Sequence, residues 1–357
     1  MLKEIFFPQD GKPEHIKSLD GLRGMAVLFV VLAHGSEVTD RIDFILDFTY
    51  LGQLGVFIFF VLSAYLLDMQ ISKALINGLG NIQYWCNYFL RRFLRIFPLF
   101  FISLIVYYIS YRFGFVTLNI IKYPSGILEH LTFQEAKAMY WSIRVEFQYY
   151  FISPLIVYLA FKLFRWKINH IKAFLVSIVL ISTLYFQQLD FEYFRLVNYI
   201  PFFIIGSYLG IIDQLRFRPY SYDLLIPIIL GLLITVDSIF PLLVVDRHYF
   251  NISFLTYAIL IGLLMVLVKD SKGFFSKIFE WKILRYIGNI SYSIYLFHCL
   301  FIFILHDYNL GSKYYNSIAY LALTILFSSL TYLLVEYPLS RVRLTTAKKL
   351  SQKNFSS

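Results

Sequence analysis

The sequence has few charged residues and few cysteines. Only 15% of its 357 residues are charged, whereas a soluble globular chain carries about 25%. Its two cysteines, Cys86 and Cys299, have no metal-ligand spacing and imply no disulfide framework. Because 59% of the residues are apolar and the mean hydropathy is +0.66, the composition excludes a soluble enzyme, a disordered chain, a disulfide-rich secreted domain and a nucleic-acid-binding protein.

What the chain has instead is a series of long apolar runs that begins at Leu22. The apolar residues suffice for about ten membrane spans of about 20 residues each. Helices satisfy their own backbone hydrogen bonds in lipid, so we predict an all-α integral membrane protein. The ten predicted spans are residues 22–40, 51–69, 95–113, 140–163, 170–187, 195–212, 222–240, 250–269, 286–306 and 316–337.

Positive charge alternates from loop to loop along this series. The side shared with the N-terminus holds 24 of the 32 lysines and arginines, the opposite side holds seven, and Arg144 lies within a span. Cytoplasmic loops are enriched in lysine and arginine, so both termini are predicted to be cytoplasmic and most of the net charge of +10 reflects topology. The predicted organisation is a cytoplasmic segment 1–21, a transmembrane domain 22–340 and a basic cytoplasmic tail 341–357.

Ionisable residues inside apolar spans are costly and usually functional. Arg23 and His34 are 11 residues apart, which is three helical turns plus about 20°, so both side chains are expected on one helix face about 16 Å apart. Arg23 is expected at the cytoplasmic mouth and His34 beyond the bilayer midplane. The alternative is a snorkelling arginine with a histidine packed against a neighbouring helix.

Glu146 and His298 are predicted to lie at a depth similar to that of His34. A carboxylate and an imidazole at one depth can form a proton relay or bind a polar substrate. Glu146 has the alternative of pairing with Arg144 or another structural cation, and His298 has the alternative of a packing role.

Three arginines, Arg91, Arg92 and Arg95, lie at the N-terminal end of the third span. Arginine presents a forked set of donors that suits phosphate groups. Anchoring at the cytoplasmic face explains the same cluster equally well on charge alone.

Together these residues resemble the acyltransferase-3 family of integral-membrane acyltransferases. The resemblance covers nearly the whole chain, with Ala64 replacing the usual glycine, Ile143 replacing leucine and Arg144 as an unusual intramembrane charge. The segments that carry it, in order, are Leu19–Gly24 with His34, Phe59–Ala64, Arg91–Pro98, Trp141–Glu146, Ser291–His298 and Val335–Pro338.

The resemblance implies transfer of an acyl group, most often acetyl from acetyl-CoA, to a hydroxyl of a cell-surface glycan or its lipid-linked precursor. It implies a multi-pass protein of the bacterial cytoplasmic membrane in the stand-alone form, without an extracytoplasmic domain. The expected partners are acyl-CoA, the glycan acceptor and the lipid bilayer, with no metal and no nucleic acid.

Residue roles follow from the resemblance and from the helical spacing. His34 is expected to act as general base, with an acyl-histidine intermediate as the alternative, and Glu146 to orient the histidine or bind the sugar. The expected phosphate ligands of the donor are Arg23, Arg91, Arg92 and Arg95. Further candidate site residues are Asp20, Ser63, Trp141, Ser142, Arg144 and His298.

Two rival functions are compatible with the composition. A proton-coupled transporter or flippase of a glycan precursor would also use membrane-embedded histidines and a buried carboxylate, although the chain has no internal repeat. A structural membrane scaffold leaves the aligned polar groups unexplained.

Overall fold

Every regular element in the described part of the chain is helical. The computed structural model describes residues 5–7, 10, 15–37, 48, 51–117, 120–186, 196–212, 222–243, 248–308 and 310–343. The helices are α1 Lys17–Glu37, α2 Leu51–Ile76, α3 Ile82–Arg112, α4 Pro124–Leu131, α5 Tyr140–Lys162, α6 Ile168–Phe186, α7 Ile200–Ile212, α8 Leu225–Leu243, α9 His248–Asp270, α10 Phe274–Phe279, α11 Lys282–Asn289, α12 Ser291–Asp307, α13 Lys313–Thr331 and α14 Tyr337–Ser340, with a 3₁₀ turn at Leu196–Tyr199 and a π-helical turn at Tyr332–Glu336.

Each of the ten predicted spans overlaps a helix, but the number of membrane crossings is not confirmed. Five helices in the described residues are long and apolar enough to cross a membrane, or six if α11 and α12 form one span. That pair is bent by 78°, so the predicted span 286–306 is broken rather than straight. The residues of the predicted C-terminal tail beyond 343 lie outside the described part of the chain.

Close backbone contacts fix α1 against its neighbours. A Cβ atom on Gly24 would lie 2.0 Å from the Leu284 carbonyl oxygen of α11, and one on Gly288 would lie 1.9 Å from the Asp20 carbonyl oxygen. Real Cβ atoms do not approach so closely, so α1 and α11 can cross at this distance only because both residues are glycine. This crossing fixes the position of the helix that carries Arg23 and His34.

Helix α2 packs against α7 in the same way. A Cβ on Gly206 would lie 2.3 Å from the Val61 carbonyl oxygen and 2.7 Å from the Cβ of Ala64. The departure at Ala64 therefore does not prevent close packing, because the glycine stands on the partner helix. Small residues at helix crossings are typical of membrane proteins.

A buried carboxylate ties α2 to α5 and α7. Asp68 has no exposed surface and accepts hydrogen bonds from the hydroxyls of Tyr149, at 2.7 Å, Ser153 and Ser207. Three donors on one carboxylate compensate for its removal from water. Asp68 faces away from the site described below, so we assign it a structural role.

Replacing Asp68 with alanine is expected to destabilise the protein by at least about 3 kcal/mol, because three buried hydroxyls lose their common acceptor. Thermal unfolding in detergent or nanodiscs measures this change. Asp68→Asn is the matched control, because it keeps an acceptor oxygen of the same shape and should lose less than half as much. Equal stability of Asp68→Ala and wild type would contradict the structural role.

Candidate active site

An open cavity lies between α1, α2, α3, α5 and α12. The volume of the cavity, including its opening to solvent, is about 890 Å³. Along α2 the lining runs from Gln70 to Val56, which is roughly 21 Å of helix. The cavity is therefore long and narrow, and its two ends are lined by different kinds of residue.

Arginines line the end of the cavity near Gln70. Arg23, Arg92 and Arg95 contribute to the lining, whereas the Arg91 side chain lies outside it and donates from Nε to the Asn87 carbonyl oxygen. Arg92 is held over the Tyr150 ring at 5.7 Å. Three guanidiniums therefore line this end of the cavity.

Two of these arginines, Arg23 and Arg95, have no hydrogen bond or ion pair to a described residue. Arg95 is exposed within the cavity and Arg23 is half-buried. Their charges interact with nearby carboxylates, which are Glu146 and Glu336 for both arginines and also Asp20 for Arg23. Unsatisfied guanidiniums facing a cavity provide the donors that an anionic ligand requires.

Glu146 lies on the cavity wall among these arginines. Its Oε1 accepts hydrogen bonds from the Ser63 hydroxyl, at 2.5 Å, and from the Tyr150 hydroxyl, at 2.8 Å. Oε2 has no hydrogen bond to a described residue. Arg144 does not pair with Glu146, and its Nε has no hydrogen-bond partner in the described part of the chain.

The structure does not bring Glu146 to His34. A Cβ on Gly52 would contact the Ala33 side chain at 3.1 Å, and one on Gly55 would lie 2.3 Å from the Ala26 carbonyl oxygen, so α1 and α2 are antiparallel. In this register Ser63, with its partner Glu146, lies at the level of Arg23. Glu146 is thus separated from His34 by roughly 16 Å along the helix axis, contrary to the expected common depth.

Hydroxyl groups close the other end of the cavity. The Ser142 hydroxyl donates to the Tyr295 hydroxyl at 2.7 Å, which in turn donates to the Met139 carbonyl oxygen at 2.9 Å. Trp141 does not line the cavity and stacks on Tyr199 with ring centroids 5.1 Å apart. Ser142 and Tyr295 therefore form a polar end wall.

Behind this wall His34 meets His298. Nδ1 of His34 lies 2.9 Å from Nε2 of His298, and the rings stack at 5.0 Å with an angle of 27°. The His298 ring is 5.8 Å from the Tyr295 ring, and neither histidine lines the cavity. Two helices, α1 and α12, thus bring together imidazoles that are 264 residues apart.

A third possible ligand atom belongs to Cys299. Among the described residues, His34, His298 and Cys299 form a group whose ligand atoms lie within 4.8 Å of one another, the arrangement that a metal ion would need. The Cys299 sulfur lies 3.3 Å from Nε2 of His298. The single lone pair on Nε2 of His298 can accept from the His34 N–H at 2.9 Å, and the Cys299 thiol at 3.3 Å is then a weaker, secondary donor to the same nitrogen.

Comparison with known proteins places the chain in a family. The acyltransferase-3 model, described as an acyltransferase domain, matches residues 16–336. The chain belongs to the acyltransferase-3 family. The expectation from the sequence motifs is therefore confirmed at the level of family, and the match includes every candidate residue of the cavity and of the histidine pair.

The curated relatives are bacterial and longer than this chain. It is 27% identical over 382 residues to the protein named "Putative O-acetyltransferase SACOL0978" of Staphylococcus aureus strain COL, covering 95% of this chain and 59% of the relative. It is 24% identical over 376 residues to "O-acetyltransferase OatA" of S. aureus strain NCTC 8325 / PS 47, and the alignment covers 92% of this chain and 58% of that relative. The chain thus spans about three fifths of the length of these relatives. No solved structure matches it significantly.

Asp20, another candidate residue from the sequence, lies outside the cavity. Asp20 accepts a hydrogen bond from His15 at 2.8 Å and pairs with the buried Arg285 at 3.6 Å. Arg285 also pairs with Asp10. Asp20 therefore belongs to an ion-pair cluster that fastens the N-terminal segment to α11, outside the cavity.

Sequence reasoning did not assign site roles to Tyr150, Tyr295 and Glu336. Tyr150 and Tyr295 line the cavity, and Glu336, within the Val335–Pro338 motif, accepts a hydrogen bond from Ser293 near Arg95. The signal for Glu336 was its place in a recognised motif beside an apolar span. Tyr295 carried the same signal, because it lies in the Ser291–His298 motif, whereas Tyr150 belongs to no motif and is one of 29 tyrosines in the chain.

Proposed function

We propose that the chain is a membrane-embedded O-acyltransferase that moves an acyl group, acetyl in the simplest case, from cytoplasmic acyl-CoA to a hydroxyl of a cell-surface glycan or its lipid-linked precursor. The observation that carries the proposal is that the two ends of the site have different chemistry. Three arginines line one end of a cavity roughly 21 Å long, and two of them, Arg23 and Arg95, have no hydrogen bond or ion pair to a described residue. A pair of imidazoles lies behind the other end. Family membership and the names of the relatives support the same activity.

In this proposal the donor occupies the cavity lengthwise. Arg23, Arg92 and Arg95 bind the phosphates, because their guanidiniums offer charge-assisted hydrogen bonds there. The long uncharged arm of acyl-CoA follows α2 toward Ser142 and Tyr295. The thioester then lies next to the end wall, and Tyr295 must shift for the acyl group to reach His34.

His34 acts as general base in the chemical step. It takes the proton from the acceptor hydroxyl while the hydroxyl oxygen attacks the thioester carbonyl carbon. The new ester C–O bond forms, the C–S bond breaks, and the proton held by His34 passes to the departing CoA thiolate. The acceptor approaches on the side of the histidine pair, where His34 is partly exposed.

Glu146 is better placed to bind the donor than to orient His34. Because Oε1 is occupied by Ser63 and Tyr150, the free Oε2 is available to accept from an amide N–H of the donor's arm. Glu146→Ala is expected to raise the KM for acetyl-CoA about tenfold by losing this charge-assisted hydrogen bond, with kcat changed less than about twofold. Steady-state kinetics measures both constants, and a fall in kcat at unchanged KM would assign Glu146 to the chemical step instead.

The function is tested with purified protein in nanodiscs or vesicles, radiolabelled acetyl-CoA and candidate glycan acceptors. Covalent label on the acceptor supports the proposal. Accumulation of unmodified solute inside vesicles would support the rival transporter. Mass spectrometry compares surface glycans from cells with and without the gene. The mass difference identifies the acyl group, and the glycan fraction that carries this added mass identifies the acceptor.

A further inference from the structure

The two imidazoles of the site differ in their environments. His298 has no exposed surface, whereas His34 is partly exposed. His298 lies one helical turn after Tyr295 on α12, and its Nδ1 is 2.7 Å from the Tyr295 carbonyl oxygen. His298 is therefore held on both sides, by its own helix through Nδ1 and by His34 through Nε2.

These contacts determine where the protons are. A carbonyl oxygen only accepts hydrogen bonds, so Nδ1 of His298 carries a hydrogen and, in the neutral ring, Nε2 carries the lone pair. The atom facing that lone pair at 2.9 Å, Nδ1 of His34, must then carry a hydrogen as well. The lone pair of His34 is consequently on Nε2. The Val30 carbonyl oxygen, one turn earlier on α1, is a second acceptor near the ring N–H of His34.

We propose that His298 is a positioning residue that holds His34 in the Nδ1–H tautomer and so keeps Nε2 available as the base; this rests on the function proposed for His34. The tautomer of a histidine is set by the hydrogen bond that its other nitrogen makes. In serine hydrolases a carboxylate makes that bond. Here a neutral imidazole, itself held by the Tyr295 carbonyl, makes it.

A neutral acceptor suits this position in the bundle. A carboxylate buried beside His34 would need either a cation or several hydrogen-bond donors to compensate for its removal from water, as three hydroxyls do for Asp68. His298 avoids that cost and still stabilises the imidazolium form of His34, because the Nδ1–H···Nε2 hydrogen bond strengthens when its donor becomes charged. The arrangement also explains why His298 is completely buried although histidine is polar, since both of its ring nitrogens are satisfied.

The test compares His298→Leu with His298→Gln. Leucine removes the acceptor, whereas the glutamine Oε1 can stand in for Nε2. In His298→Leu we expect kcat to fall at least about tenfold with the KM for acetyl-CoA within about twofold, and His298→Gln to recover most of the loss. Cys299→Ala is the matched control, because it removes the neighbour at 3.3 Å but leaves both histidine hydrogen bonds intact.

A spectroscopic readout separates positioning from packing and does not depend on turnover. In protein labelled with ¹⁵N-histidine, the resonances of His34, assigned by their loss in His34→Ala, should show the Nδ1–H tautomer in wild type and His298→Gln. They should show a shift toward Nε2–H in His298→Leu. An unchanged His34 tautomer in folded His298→Leu would overturn the proposal whatever the activity.

Metal analysis of the purified protein provides the second decisive outcome. A stoichiometric zinc or other transition-metal ion that is lost in both His298→Leu and Cys299→Ala would mean that the three side chains bind a metal, and the hydrogen-bond assignment would be wrong. If wild type transfers no acetyl groups but its His34 shows the expected tautomer, the proposed function is refuted and the hydrogen-bond assignment stands.

Discussion

Replacing His34 with alanine is expected to lower the rate of acetyl transfer by about 10²–10⁴-fold, the usual contribution of a general base. The imidazole is the group that accepts the proton of the acceptor hydroxyl in the proposed mechanism, and the remaining imidazole, His298, is completely buried behind it. Because the arginines that bind the donor are roughly 16 Å away, acetyl-CoA binding should stay within about twofold of wild type.

Single-turnover transfer of radiolabelled acetyl groups measures this loss, and binding of labelled acetyl-CoA to the same preparation shows that the cavity is intact. His170→Ala is the control, because His170 is exposed and lies outside the cavity and the histidine pair. It should transfer acetyl groups at the wild-type rate. Near-wild-type transfer by folded His34→Ala would refute the assignment of His34 as base.

A covalent route through His34 makes a different prediction for the same preparation. If an acyl-histidine forms, wild-type protein incubated with labelled acetyl-CoA and no acceptor should retain label after denaturation, and His34→Ala should not. Direct transfer leaves no label on either protein. The experiment therefore separates the two mechanisms that the sequence leaves open.

The helices were predictable because their origin is local. Apolar runs of sufficient length form helices in lipid whatever surrounds them, and the position of Arg23 and His34 on one helix follows from the 3.6-residue period alone. The sequence could not predict the 78° bend between α11 and α12, because it accompanies the contact of Gly288 with the backbone of α1, a tertiary interaction.

The candidate site was predictable only within single helices. Helical rise gives the depth of Glu146 along α5, but not the offset of α5 against α1, and this offset separates Glu146 from His34. The pairing of His34 with His298 was closer to expectation, since both were expected at one depth. The 2.9 Å contact between their ring nitrogens depends on how α1 and α12 are rotated about their axes. Helical periodicity alone does not determine that rotation.

Replacing Arg95 with alanine is expected to weaken acetyl-CoA binding by about 10–100-fold, because one charge-assisted hydrogen bond to a phosphate contributes about 1.5–3 kcal/mol. Arg95 is exposed in the cavity and has no hydrogen bond or ion pair in the described residues, so its loss breaks no hydrogen bond among them, although Glu146 and Glu336 lose a nearby positive charge. Arg23→Ala should act in the same direction, and the double variant should lose more than either single one.

Arg91→Ala is the most informative comparison, because Arg91 is one helical turn before Arg95 but outside the cavity lining. If the cluster only anchors the protein at the cytoplasmic face, both substitutions should have the same small effect. If the cavity binds the donor, Arg95→Ala should weaken binding at least about tenfold and Arg91→Ala less than about threefold. Calorimetric titration with acetyl-CoA and with donor fragments that lack the phosphates locates the lost contact. Only the ligands that carry phosphates should bind Arg95→Ala more weakly than they bind wild type.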